Sequence, residues 1–219
     1  MGSDNLFHKR KARRGESLRR KKARRASYDT VLIVCEGEKT EPHYFMELRD
    51  DLKLNSANIE ITGNTGGSSP MNVVDYGFEH YEEYDQTFCV FDKDRHTNYQ
   101  AALSKIRNKK KRKGHAILPI TSVPCFEFWL LLHFCYTTKN FATGPGSICE
   151  WVIADLKSEL PGYAKGTMGI YEQLKERLPT AIENSCKVAN YCKSAGTDHP
   201  STQIHELVEY LQNLKNWKL

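Results

Sequence analysis

Unbroken apolar runs of strand length, each closing on an acid, constrain this chain more than any other feature. Residues 31–35 read VLIVC and lead straight into Glu36 and Gly37, while residues 87–91 read TFCVF and lead into Asp92, Lys93 and Asp94. A half-exposed strand alternates apolar and polar residues, whereas a strand buried on both faces reads as a continuous apolar run. Two such runs therefore predict an α/β chain with a buried sheet. Both deliver carboxylates at their carboxyl ends, where open parallel sheets bind ligands.

The segments around these runs alternate. Thr40 is placed to cap a helix reaching about Leu54, with Tyr44, Phe45, Leu48 and Leu52 at helical spacing and Pro42 in its first turn. A strand at 58–62, the glycine-bearing loop GNTGGSSP and a helix opening at Pro70 follow. A third helix is predicted over 99–113, stopping at Gly114 after a cationic run, then a strand at 116–121 and a fourth helix from Phe126 to Phe134. The fold class is thus α/β, a mostly parallel four-stranded sheet with helices on both faces. From about Thr137 the pattern turns helical, with segments near 147–158, 168–178, 180–194 and 201–215 and no further strand. The expected domains are an arm at 1–27 that stays disordered until bound, an α/β core at 28–136, and an α-helical extension at 137–219 packed on it.

Composition narrows the function classes. A chain of 219 residues, 39% hydrophobic, can bury a real core. Its seven cysteines include no Cys-x-x-Cys pair, and Cys35, Cys89, Cys125 and Cys135 sit inside apolar runs. That predicts a reduced, cytoplasmic protein with neither disulfide framework nor zinc knuckle. No apolar stretch approaches about 18 residues and no hydrophobic signal core opens the chain, so neither a membrane span nor export is expected. The net charge of +5 is uneven: residues 1–27 carry eleven Lys or Arg against Asp4 and Glu16, a balance of +9, leaving −4 for the remainder. An arm with Arg13, Arg14, Arg19, Arg20, Lys21, Lys22, Arg24 and Arg25 as contacts suits nucleic acid, because each phosphate neutralised releases counterions. The plainer reading is an arm that aids solubility or docks on an acidic partner.

Three of the four strands place acids at their carboxyl ends: Glu36 after the first, Asp92 and Asp94 after the third, and Glu127 just past the fourth. The strand period of two puts Asp92 and Asp94 on one side of an extended chain. Oxygen donors in this number suit Mg²⁺ or Mn²⁺, as one or two ions, and unneutralised they would repel one another. Each acid also has an ordinary reading as a turn residue or a helix cap. Glu38 and Glu41 flank the set, either orienting ligands or serving as first-turn helix acids. His96 could relay protons or contact phosphate, or simply sit at the surface. Cys125 lacks a histidine partner and reads as packing. The residues Trp129, Leu130, Leu132 and His133 read as a helix buried on the sheet, and Ser201 or Thr202 as the cap of the last helix.

The motifs VLIVCEGEKTE and FCVFDKDRH resemble the Toprim pattern shared by primases, type II topoisomerases and OLD-type nucleases. More narrowly, CEGEKTEPHYF, VFDKDRH, PCFEFWLLLHF and HPSTQIHELVEYL, in that order across residues 28–215, resemble the RloB-like family, small Toprim proteins of bacterial phage-defence systems. The resemblance implies a Toprim-like fold, Glu36 in metal binding or general acid/base work, and Asp92 and Asp94 in metal coordination. Glu127 is the further acid expected to complete the set, its ordinary reading being a first-turn helix acid, and two ions would clamp the attacking and leaving oxygens of a phosphodiester. Lys165, in GYAKGTMG, would approach the transition-state charge as a lysine does in OLD-type nucleases. Where the topoisomerase pattern has a third Asp this chain has His96, so a second ion depends on Glu127 or Glu41.

The expectation is a Mg²⁺- or Mn²⁺-dependent Toprim nuclease cleaving RNA (including tRNA) or DNA, an effector of phage defence or abortive infection. The family adds an ABC-type ATPase partner, and a homo-oligomer stays open. The alternative is a non-catalytic nucleic-acid-binding or regulatory subunit whose acids hold a structural ion. A haloacid-dehalogenase-like phosphatase also uses Asp-x-Asp, but after the first strand rather than the third.

Overall fold

The computed structural model describes residues 28–63, 65–109, 114–141 and 146–216. The arm at 1–27, with all eight residues assigned to nucleic-acid binding, lies outside the described residues, as do 110–113 of the second cationic run.

Strands and helices alternate through β1 (Val31–Cys35), α1 (Thr40–Asp51), β2 (Ile59–Thr62), α2 (Pro70–His80), β3 (Gln86–Asp92), α3 (Tyr99–Arg107), β4 (Ala116–Val123) and α4 (Glu127–Leu131). There follow α5 (Ile148–Glu159), α6 (Ile170–Leu174), α7 (Leu178–Ala195), β5 (Ser201–Thr202) and α8 (Ile204–Asn213). The sheet order is β2-β1-β3-β4-β5, and the first four strands run parallel. The architecture is the expected α/β one, a mostly parallel sheet with helices around it and a helical C-terminal part.

The strand count differs. Residues 201–202 add a fifth, antiparallel edge strand, with Thr202 opposite Ser122 and Ser201 opposite Val123. Their segment is therefore a ladder partner rather than a helix cap, although Thr202 Oγ1 still accepts the Ile204 N–H at 3.3 Å. Three helices also stop early, α4 among them, which ends at Leu131 rather than at the expected Phe134. The first ends at Asp51, and α3 ends at Arg107, where the Asn108 N–H returns to the Ser104 carbonyl at 2.9 Å. Thr40 is the first helical residue of α1 rather than its cap, since Lys39 holds the N-cap position.

Side chains of β1 divide by parity between two layers. Val31, Ile33 and Cys35 join Tyr44, Phe45 and Leu48 of α1, Trp129 and Leu130 of α4, and Leu207, Val208 and Leu211 of α8. Leu32 and Val34 face Val73 and Val74 of α2 with Tyr99, Ala102 and Ile106 of α3. Every β1 side chain is at most 1% exposed, which is why the run contains no polar residue. Burying five such side chains contributes on the order of 10 kcal/mol before chain entropy is subtracted. The first layer extends into the C-terminal part through Leu156, Tyr163, Ile170, Tyr171 and Leu174. Among the described residues no helix is long and apolar enough to cross a membrane.

Candidate functional site at the carboxyl ends of the strands

From β2 the chain crosses back over β1 to reach β3, so the strand order reverses between β1 and β3. A crevice opens at the carboxyl ends of strands at such a reversal. Here it is a cleft of about 450 Å³, walled by residues 36–41 after β1, by Asp92, Asp94 and His96 after β3, and by Cys125, Phe126 and Glu127 between β4 and α4. Ser68, Cys149, Lys165 and Gly166 complete the wall. The structure thus brings Glu36, Glu41, Asp92, Asp94, Glu127, His96 and Lys165 into one cleft, from a sequence span of 130 positions (36 to 165).

The β1–β3 register pairs Cys35 with Val90, so Glu36 leaves β1 beside the end of β3. Its Oε2 accepts the Asp92 N–H at 3.0 Å, and its Oε1 lies 2.8 Å from His96 Nε2. At 7% exposure, burial raises the Glu36 carboxyl above its ordinary range. The Asp92 N–H and His96 work against that shift, and the charge of Asp94 adds to it. Asp92 Oδ2 accepts the Phe126 N–H at the start of α4, at 3.1 Å. Burial, then the charges of Glu41, Glu127 and Glu36, push the Asp92 carboxyl well above its ordinary range.

Asp94 reaches the cleft differently from the expected strand alternation. The strand ends at Asp92, and Asp94 stands in a turn with φ +27°, its N–H held by the Pro124 carbonyl at 3.0 Å. A non-glycine residue at positive φ is uncommon, with Asp among the more tolerant types. Among the described residues its Oδ1 is shut off from solvent and has no hydrogen-bond partner.

Glu127 opens α4 at 2% exposure, where its Oε1 accepts the Tyr163 hydroxyl at 3.0 Å and lies 3.3 Å from Lys165 Nζ. Burial alone would lower the Lys165 ammonium, but the charges of Glu127 and Cys125 lift it to about 12. Glu41, in the first turn of α1, is 9% exposed. Burial raises its carboxyl to about 7, its own backbone N–H opposing while the charges of Glu127 and Glu36 add.

Two glycines make this geometry possible by close approach rather than by torsion. A Cβ on Gly37 would lie 2.1 Å from Glu41 Oε2, and one on Gly63 would lie 2.2 Å from the Gly37 carbonyl oxygen. Cys125 is 1% exposed with its thiol pushed well above the ordinary range, first by hydrogen bonding with Cys149 and then by burial, which fits packing rather than nucleophilic attack.

Sequence reasoning missed Tyr163 and the true partner of Thr40. Thr40 Oγ1 accepts the Gly166 N–H at 2.9 Å, tying the segment after α5 to the start of α1. Only the glycine-flanked GYAKG hinted at a built loop, and it drew attention to Lys165 instead.

The donor chemistry fits a hard divalent cation. All the acids are oxygen donors, three of them are held protonation-prone by burial and mutual charge, and Asp94 Oδ1 is an orphaned acceptor. Among the described residues, however, no three His, Cys, Asp or Glu side chains converge as a ready metal cage. Glu36 leans to His96, Asp92 to the Phe126 amide, and Glu127 to Tyr163 and Lys165.

The family model described as RloB-like protein matches residues 31–211, a span that contains every residue of the cleft. No curated protein and no solved structure matches the chain. The match covers most of the sequence, from the first residue of β1 into α8, and the chain belongs to the family of RloB-like proteins.

Proposed function

We propose that the cleft is the catalytic site of a Mg²⁺- or Mn²⁺-dependent nuclease of Toprim type. One observation carries the reading: Glu36, Glu41, Asp92, Asp94 and Glu127 share one cleft at the strand ends, and burial plus mutual repulsion raises three of their carboxyls. Such a set is costly unless a cation shares it.

Glu36, Asp92, Asp94 and Glu127 are the residues that would hold the ion. A bound ion supplies charge neutralisation for phosphodiester oxygens and an acidified water. Glu41, with its carboxyl near 7, is suited to take up a proton around neutral pH. Lys165 and His96 stand at the acids and can turn to the non-bridging oxygens of a phosphate. The basic arm would draw in the polyanion. RNA (including tRNA) or DNA as substrate, a cytoplasmic role in anti-phage defence and an ABC-type ATPase partner come from the family resemblance.

A second reading is favoured by one feature. Glu36 and Glu127 already face His96 and Lys165 inside the cleft, as the acids of a non-catalytic binding or regulatory subunit would. Incubation with labelled tRNA and with single-stranded and duplex RNA and DNA, in Mg²⁺, Mn²⁺ or EDTA, separates the two. We expect metal-dependent cutting that Glu36→Ala and Asp92→Ala abolish. Cutting that survives EDTA and both substitutions contradicts the proposal, and binding without cutting in every metal, with cell extract present, selects the second reading.

A further inference from the structure

The two side chains that hold Glu127 come from one short segment downstream, and they differ in rigidity. Tyr163 is 3% exposed and packs in the same core layer as α1 and β1, whereas the Lys165 side chain is 59% exposed. Both address Glu127 Oε1, and among the described residues Oε2 receives no hydrogen bond. The segment itself is clamped onto α1: Gly166 N–H donates to Thr40 Oγ1 at 2.9 Å, and Tyr171 N–H donates to Glu47 Oε2 at 3.0 Å. A strap fixed at both of these points carries the phenol to a set position against the carboxylate.

A carboxylate at the start of a helix can rotate about its terminal bond, and that torsion is soft. A long, exposed lysine does little to stop it, because its own side-chain freedom must be lost to hold one geometry. A buried phenol, with two torsions and a packed ring, does. We propose that Tyr163 is a positioning residue for Glu127: by engaging Oε1 it leaves Oε2 turned to the cleft as the oxygen available to a divalent cation. The inference rests on the metal-site reading above and assigns the strap after α5 a part in the site that the strand-end acids alone do not show.

Mn²⁺ binding to the full chain tests it by calorimetry, without any substrate. Tyr163→Phe removes one oxygen and keeps the ring; it should raise the Mn²⁺ dissociation constant by about 10- to 100-fold, the usual effect of losing a ligand's supporting hydrogen bond. In a Glu127→Gln background the same substitution should add nothing, because the residue acts through that carboxylate. A role in folding alone would add equally in both backgrounds. Site-specific 3-fluorotyrosine at 163 keeps ring and hydroxyl but donates more strongly, and it should shift the affinity even where Tyr163→Phe folds poorly. Wild-type Mn²⁺ affinity in Tyr163→Phe or in the fluorinated protein, or an equal loss in the Glu127→Gln background, overturns the inference and leaves the metal reading intact. A wild-type protein that binds no Mn²⁺ overturns both.

Discussion

Across two adjacent parallel strands, the Asp92 backbone N–H donates to Glu36 Oε2 at 3.0 Å. The backbone of one strand therefore orients the acid of its neighbour, and the Asp92 side chain is left for Phe126 and the cleft. Asp92→Asn preserves the backbone donor and removes only a charge. Activity should fall at least about 100-fold, as for loss of a group whose charge acts in the transition state. The metal-free protein should become more stable at neutral pH, because a carboxyl that burial and three neighbouring acids disfavour has been neutralised. Urea denaturation in EDTA beside a cleavage assay checks both halves.

The Glu41 carboxyl makes a prediction about pH. Its folded value of about 7 lies above the ordinary 4.5, so the folded state binds this proton more tightly than the unfolded chain does. That contribution is complete below about pH 4.5 and is lost as pH rises through about 7, an effect of roughly 3 kcal/mol. Metal-free stability should therefore decline across this window, and Glu41→Gln should flatten the decline. A wild-type curve already flat in EDTA would contradict the assignment.

The two close-packed glycines should separate folding from chemistry. In Gly37→Ala the atoms nearest the new Cβ are those at the tip of Glu41, the closest at 2.1 Å, and that side chain can swing aside. Stability should change by less than about 1 kcal/mol while activity drops, since Glu41 has been displaced. In Gly63→Ala the Cβ meets backbone, the Gly37 carbonyl oxygen at 2.2 Å and Glu38 Cα at 2.8 Å. That strain should cost about 1–3 kcal/mol, read from thermal or urea denaturation.

Lys165 should show opposite effects on binding and turnover. Its ammonium, 3.3 Å from Glu127 Oε1, repels any cation that shares the carboxylate. Lys165→Met should tighten Mn²⁺ binding several-fold yet slow cleavage by about 10²- to 10³-fold, through loss of a cation aimed at developing charge. With its side chain 59% exposed, the loss of folding stability should stay within about 1 kcal/mol. Calorimetry and single-turnover kinetics measure the two effects separately.

Much of the site was legible because its acids follow apolar strands. The runs at 31–35 and 87–91 announce buried strands, and the parallel α/β rule puts their carboxyl ends at one crevice, so Glu36 and Asp92 could be joined from the sequence alone. Three features were hidden for physical reasons. A two-residue strand such as β5 has too few positions to show any period. Asp94 enters the cleft through a positive-φ turn, which alternation rules do not describe. Tyr163 sits in a loop, where neither spacing nor composition reports that its hydroxyl meets an acid 36 positions upstream. Glu41 was visible as a first-turn helix acid, but the burial that raises its carboxyl and its close approach to Gly37 are tertiary features that helical spacing does not report.

The central claim is that these acids hold a divalent cation for phosphodiester chemistry, and crystals grown with Mn²⁺ test it most directly. The account predicts an anomalous scattering peak in the cleft, bonded to carboxylate oxygens of Glu36 and Asp92 with Asp94 or Glu127 beside them, and lost in Asp92→Asn crystals. A cleft without a peak at saturating Mn²⁺, with His96 still on Glu36 and Lys165 still on Glu127, would contradict it.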